Sequence, residues 1–184
     1  MAAWRERYYL YSTRLYRPDR NAAPLSWIGT ERIAIGNLPL PAALPDLPAQ
    51  GVTHVVNCRA RAQIWVSQEL AAERALFGPG RVVHVPLLDF GQYQRPRLWA
   101  AAAHFAAAAL DEDPESRVLI HCHQGRRRSV MLAYAVLRLR GHSAEAATDL
   151  ITGHRAEAVL VEAYSRSVEA WLAAGGLPLG ALRV

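Results

Sequence analysis

The sequence predicts an α/β fold in which a central, mostly parallel sheet of four to five strands is flanked by helices on both faces. Three observations lead there. Short segments rich in Val and Ile, at residues 32–36, 52–58, 81–87 and 117–122, have the length and composition of strands. Longer segments with apolar residues at helical spacing separate or follow them. Strands that alternate with helices need right-handed crossovers, which set parallel strands side by side and cover both faces of the sheet.

The elements follow in order along the chain. An aromatic and basic segment, residues 1–26, precedes the first strand, "RIAIG". The proline-rich stretch "NLPLPAALPDLPAQG" reads as a rigid loop with a short helix. "VTHVVNC" is the second strand, followed by a helix over residues 67–77. "RVVHVPL" is the third, followed by an Ala-rich helix over 97–110. "LDEDPES", with Asp111 and Asp113, is a polar turn leading to the fourth strand, "RVLIHC". Helices at 129–140, 143–152 and 157–173 complete the pattern, with Gly141 placed to end the first and Ser143 to cap the second. One domain spans 27–176, and 177–184 is a short tail.

Bulk properties agree with one globular domain. The 184 residues are 52% hydrophobic and 20% charged, enough apolar material for a core. The net charge is +5, but every basic residue is arginine and alanine is abundant, so general basicity is weak evidence for a nucleic-acid partner. Two cysteines and no secretory signal predict a reducing, cytoplasmic setting. The longest apolar stretch, 98–110, is too short for the roughly 20 residues of a membrane span.

Chemistry is concentrated in "HCHQGRRRS", residues 121–129. An apolar strand enters this segment and a helix leaves it, so it is a strand-to-helix turn. Such a turn aims backbone N–H groups and a helix N-terminus at one point and makes an anion cradle. Gly125 permits the backbone to close tightly. A cysteine at that point has its thiolate stabilised by the same field, which makes Cys122 a candidate nucleophile. Arg128, six positions on, offers a planar fork suited to two phosphoryl oxygens.

The segment resembles the HCxxGxxR(S/T) signature of the cysteine-dependent protein tyrosine phosphatases. "IAIGNLP" and "GVTHVVN" are similar to the opening strands of the dual-specificity branch of that superfamily. The resemblance implies a dual-specificity phosphatase-like fold and a phosphocysteine mechanism. Cys122 would be the nucleophile, Arg128 would hold the phosphoryl group, and Asp89 in "VPLLDF" would be the general acid and later the base. Ser129 would hydrogen-bond the departing thiolate. The resemblance implies no metal and no cofactor, and it gives His121 the role of supporting the loop's backbone. Cys58 would be a redox partner of Cys122, against the plainer reading of a core cysteine. A rhodanese-type sulfurtransferase also carries a cysteine on such a turn, but the five residues between Cys122 and Arg128 favour a phosphatase. A catalytically weak module that binds phosphorylated partners is the alternative from another class.

His123, Gln124, Arg126 and Arg127, with Gly125, would surround the phosphate. The default substrate is protein phosphotyrosine, with phosphoserine or phosphothreonine beside it. The two extra arginines keep a phospholipid or phosphoinositide headgroup as runner-up, against the plainer reading that they are solvated or paired. A third reading, RNA triphosphate, lacks the interleaved aromatic and basic residues it would need. The N-terminal segment places Trp4, Tyr8, Tyr11 and Leu15 on one helical stripe among arginines. That composition suits either peripheral contact with a membrane or docking on the domain's own core. It is loosely similar to the start of the phosphatidylglycerophosphate phosphatase group, although "NCRARAQ" stands where that group has an acidic motif.

Overall fold

A computed structural model of the chain describes residues 24–67 and 69–180. Its centre is a five-stranded sheet. The strands are β1 (Leu25–Trp27), β2 (Ile33–Gly36), β3 (His54–Asn57), β4 (Val82–His84) and β5 (Val118–His121), in the spatial order β1-β2-β5-β3-β4. β5 lies between β2 and β3, parallel to both, with Gly36 and Asn57 each level with His121. β4 is parallel to β3, and β1 is antiparallel to β2.

Strict alternation along the strands makes two cores. Ile33, Ile35, Val56, Val83, Val118 and Ile120 face the larger one, and Ala34, Val55, Val82 and Leu119 face the smaller. All are buried, and each Val, Ile or Leu contributes about 1.5–3 kcal/mol by leaving water.

The helices among the described residues are α1 (Arg61–Ser67), α2 (Glu69–Phe77), α3 (Ala100–Glu112), α4 (Arg128–Leu139), α5 (Ala144–His154) and α6 (Glu162–Ala173). Leu70 and Phe77 of α2 pack on the smaller core. α4 is apolar on all sides after its first turn, so it is buried from Arg128 to Leu137 between the sheet and α3, α5 and α6. Ser143 caps α5 by accepting the Ala146 N–H at 3.0 Å, as its position predicts. No described helix is long and apolar enough to cross a membrane.

Four differences from the sequence reading have local physical causes. β1 is only three residues long, too short to show a period, and it carries the folded body across the expected boundary at 26/27. β2 starts at Ile33 because Arg32 has φ 60° and turns its side chain to the carbonyls of Leu110, Asp113 and Ser116. The predicted helix over 67–77 is α2, preceded by an unanticipated α1 directly after β3. The last helix begins at Glu162, not Glu157, because residues 155–161 are engaged by the 121–129 loop: the Val159 N–H is bonded to the Arg126 carbonyl at 2.8 Å. The aromatic stripe of Trp4, Tyr8, Tyr11 and Leu15 lies outside the described residues, and so do residues 181–184 of the expected tail.

Candidate active site

The carboxyl end of β5 runs into a loop tied to the ends of its two neighbouring strands, β2 and β3. Cys122 N–H donates to the Gly36 carbonyl, Leu38 N–H to the His123 carbonyl, and Cys58 N–H to the His121 carbonyl. At Gly125 the chain takes φ 67°, a conformation that L side chains rarely adopt. A Cβ there would collide with the Arg155 guanidinium and lie 2.7 Å from the Gly36 carbonyl. Glycine is required by both space and backbone angle.

Inside this loop sits Cys122, almost fully buried. Its Sγ accepts the Gly125 N–H at 3.2 Å and the Ser129 hydroxyl at 3.3 Å. Burial alone pushes a thiol up. The Arg128 guanidinium, the Ser129 hydroxyl and the loop N–H groups outweigh that and leave it at about 7, below its ordinary value. Arg128, at the first position of α4, is buried too, and its Nη1 donates to Gln63 Oε1 at 3.0 Å, the Leu87 carbonyl at 3.3 Å and the Cys58 carbonyl at 3.5 Å. Those two carbonyls lie beyond the carboxyl ends of β3 and β4, the edge where parallel sheets bind ligands.

Asp89 comes to the same point from the segment between β4 and α3. Its Oδ2 is 3.5 Å from Arg128 Nε, its Oδ1 is 3.3 Å from Arg127 Nη1, and the Tyr164 hydroxyl donates to Oδ1 at 3.1 Å. Arg127 and Arg128 thus share Asp89, one on each carboxylate oxygen, and Arg126 does not. Arg126 is exposed and donates from Nε to the Glu157 carbonyl at 3.3 Å. His123 and Gln124 are half-buried on the same loop.

Beneath the loop lies a buried polar network that the sequence reading missed. His121 Nε2 meets Glu73 Oε1 at 2.8 Å with neither side chain exposed. Burial lowers the imidazole's affinity for a proton, but the Glu73 carboxylate outweighs it and raises the His121 pKa above its ordinary value. Asn57 Nδ2 donates to Glu73 Oε2 at 3.1 Å, and Arg59 pairs with Glu69 beside it. Arg155, also missed, donates from Nε to the Gly125 carbonyl at 2.7 Å and from Nη1 to the Ile35 carbonyl at 2.9 Å, and its Nη2 pairs with Glu157 at 2.9 Å. The acidic residues at 69 and 73 are four apart on one helix face, and that spacing was the signal available for their pairing.

Cys58 is a free, fully buried thiol, as is Cys122 at near-complete burial. Burial, with the neighbouring Cys122, pushes the Cys58 thiol well above its ordinary value against the pull of Arg128. Among the described residues no cluster of His, Cys, Asp and Glu is arranged to hold a metal ion.

No protein-family model matches the chain. Solved structures do. Human DUSP28 superposes with a TM-score of 0.65 at 20% identity, over 84% of this chain and 97% of that one. PTPMT1 in complex with PI(5)P superposes with a TM-score of 0.66 at 16% identity, over 81% and 94%. Kinase associated phosphatase, with its catalytic cysteine replaced by serine, superposes with a TM-score of 0.68 at 17% identity, over 85% and 98%. With the sheet order, the loop after β5 and these superpositions together, the chain has the dual-specificity phosphatase fold.

Proposed function

We propose that the protein is a cysteine-dependent phosphatase that hydrolyses phosphate monoesters through a phosphocysteine on Cys122. The observation that carries this reading is the Cys122 sulfur itself, buried yet receiving hydrogen bonds from Gly125 N–H and Ser129 Oγ beside the Arg128 guanidinium. A buried thiol with no such donors would be an inert core residue.

In the first step the thiolate attacks phosphorus in line. The S–P bond forms, the ester P–O bond breaks, and Asp89 gives its proton to the departing oxygen. Arg128 and the loop N–H groups stabilise the charge on the equatorial oxygens. In the second step Asp89 takes a proton from water, the oxygen of that water attacks phosphorus, and the thiolate leaves toward the Ser129 hydroxyl. Arg128 is well held for this task, since Gln63 and the Cys58 and Leu87 carbonyls fix Nη1 while Nε lies 3.5 Å from Asp89 Oδ2. A reducing, cytoplasmic setting suits a nucleophilic thiol.

Protein phosphotyrosine is the first substrate, because one of the two extra arginines, Arg127, is paired with the Asp89 carboxylate. Arg126 is exposed and, among the described residues, donates only to the Glu157 backbone carbonyl, so its charge stays available to a substrate. A phospholipid or phosphoinositide headgroup is the second reading. Leu88 and Phe90, on either side of Asp89, are exposed, Phe90 by 80%, and would meet acyl chains as readily as a peptide. The likeness to PTPMT1 bound to PI(5)P supports the same reading.

The test is phosphate release from phosphotyrosine and phosphothreonine peptides, a phosphoinositide and phosphatidylglycerophosphate at matched concentrations. Turnover that disappears in Cys122→Ser is expected, with kcat/KM highest on phosphotyrosine. A lipid preference of orders of magnitude would reverse the substrate order. Binding of phosphopeptide without turnover of any substrate would make the protein a binding module.

A further inference from the structure

Asp89 lies on irregular chain, and a carboxylate on irregular chain reaches a fixed point only if something holds it. The holding group is on α6. Tyr164, fully buried in its ring and placed in the helix's first turn, turns its hydroxyl toward the segment that carries Asp89. That hydroxyl donates to Asp89 Oδ1 at 3.1 Å, accepts the Gly91 N–H at 3.3 Å and lies 3.4 Å from the Leu88 carbonyl. One oxygen therefore ties residues 88, 89 and 91.

Arg127 joins the arrangement from the loop side. Its guanidinium lies over the Tyr164 ring, 6.0 Å from the centroid, while Nη1 reaches Asp89 Oδ1 at 3.3 Å. Gly91, at φ 74°, lies against the same guanidinium, and a Cβ there would be 3.3 Å from Nη2. We propose that Tyr164 and Arg127 are positioning residues that latch the 88–91 segment over the site and aim the Asp89 carboxyl at the leaving group. This rests on Asp89 being the general acid.

The geometry also selects the oxygen. Each oxygen has one guanidinium beside it, Arg127 at Oδ1 and Arg128 at Oδ2, but only Oδ1 also accepts the Tyr164 hydroxyl, so a transferable proton belongs on Oδ2. Burial, and the Asp89 carboxylate beside it, hold the Tyr164 phenol above its ordinary pKa, so it stays a donor across the working pH range. Arg127 then serves the general acid and does not read substrate charge.

The experiment measures kcat/KM on aryl phosphates from 4-nitrophenyl to phenyl phosphate. A good leaving group needs little protonation and a poor one needs much. Tyr164→Phe is expected to stay within about threefold of wild type on 4-nitrophenyl phosphate and to lose roughly tenfold or more on phenyl phosphate, part of the 10²–10⁴-fold that a general acid supplies. Arg127→Met, at a partly exposed position, is expected to steepen the leaving-group dependence in the same way. In an Asp89→Asn background neither substitution should add a loss, because both act through Asp89. A loss uniform across the series, or one additive with Asp89→Asn, would overturn the latch. Hydrogen exchange at the Gly91 amide gives a readout independent of turnover: it should speed up in Tyr164→Phe, and an unchanged rate would also overturn it. If wild type hydrolyses no aryl phosphate, the phosphatase reading fails, and Gly91 exchange alone decides the latch.

Discussion

At the scale of residues, the site is a contest between burial and donated hydrogen bonds, and Cys122 is where that contest is measurable. Its thiol stands at about 7 although burial opposes the charge, so the thiolate dominates above that pH and the thiol below it. Alkylation of Cys122 by iodoacetamide, followed by mass spectrometry, should rise through about pH 7. Ser129→Ala should move that rise to higher pH, because a hydrogen bond favouring the thiolate is gone, and at about pH 6 the rate should fall severalfold. Cys58, held well above its ordinary value, should stay unmodified over the same range. Residues 122, 125, 128 and 129 were legible in the sequence, since a strand end, a glycine and a helix start within eight positions dictate the turn. Arg155 was not. It reaches Gly125 from thirty residues away, and only folding brings the two together.

At the scale of elements, α2 does more than cover the smaller core. Its Glu73 carries the ion pair that holds His121, and through it the strand end on which Cys122 sits. Glu73→Gln should cost about 3 kcal/mol in chemical denaturation at about pH 6, because removing one partner of a buried pair strands the other. The sign of the pH dependence follows from His121. Its folded pKa is raised above 6.5, so the pair's contribution is complete below 6.5 and is lost as pH rises through the elevated value. The gap between wild type and Glu73→Gln should therefore shrink toward alkaline pH. β2 to β5 were legible because Val and Ile mark them, and α4 because apolar residues fill it, whereas β1, Leu-Ser-Trp, carries no such mark. The start of α6 was not legible, since local composition favours helix from 157 while the Arg155–Glu157 pair and the Val159–Arg126 bond hold residues 155–161 off it. α1 carries Gln63, the side-chain partner of Arg128 Nη1, and no periodic signal marked it.

At the scale of the whole molecule, the site joins β5, α4, α1, the β4–α3 segment and α6, so an anion bound there should stabilise the entire fold. Tungstate or phosphate at a hundredfold excess over its Kd should add about 2.7 kcal/mol, which for a chain of this size raises Tm by roughly 5–10 °C. Arg128→Met should abolish the shift in a thermal melt while leaving the unliganded protein folded. By itself the sequence determined the sheet and helix alternation and the strand-to-helix turn of "HCHQGRRRS", because those follow from side-chain period and from backbone chemistry within a few residues. Only the tertiary structure decided what each side chain meets there: Arg126 on Glu157, Arg127 on Asp89 and Tyr164, Arg128 on Gln63 and two strand-end carbonyls, His121 on Glu73. Partners so far apart in the chain are chosen by strand register and helix packing, which no local pattern encodes.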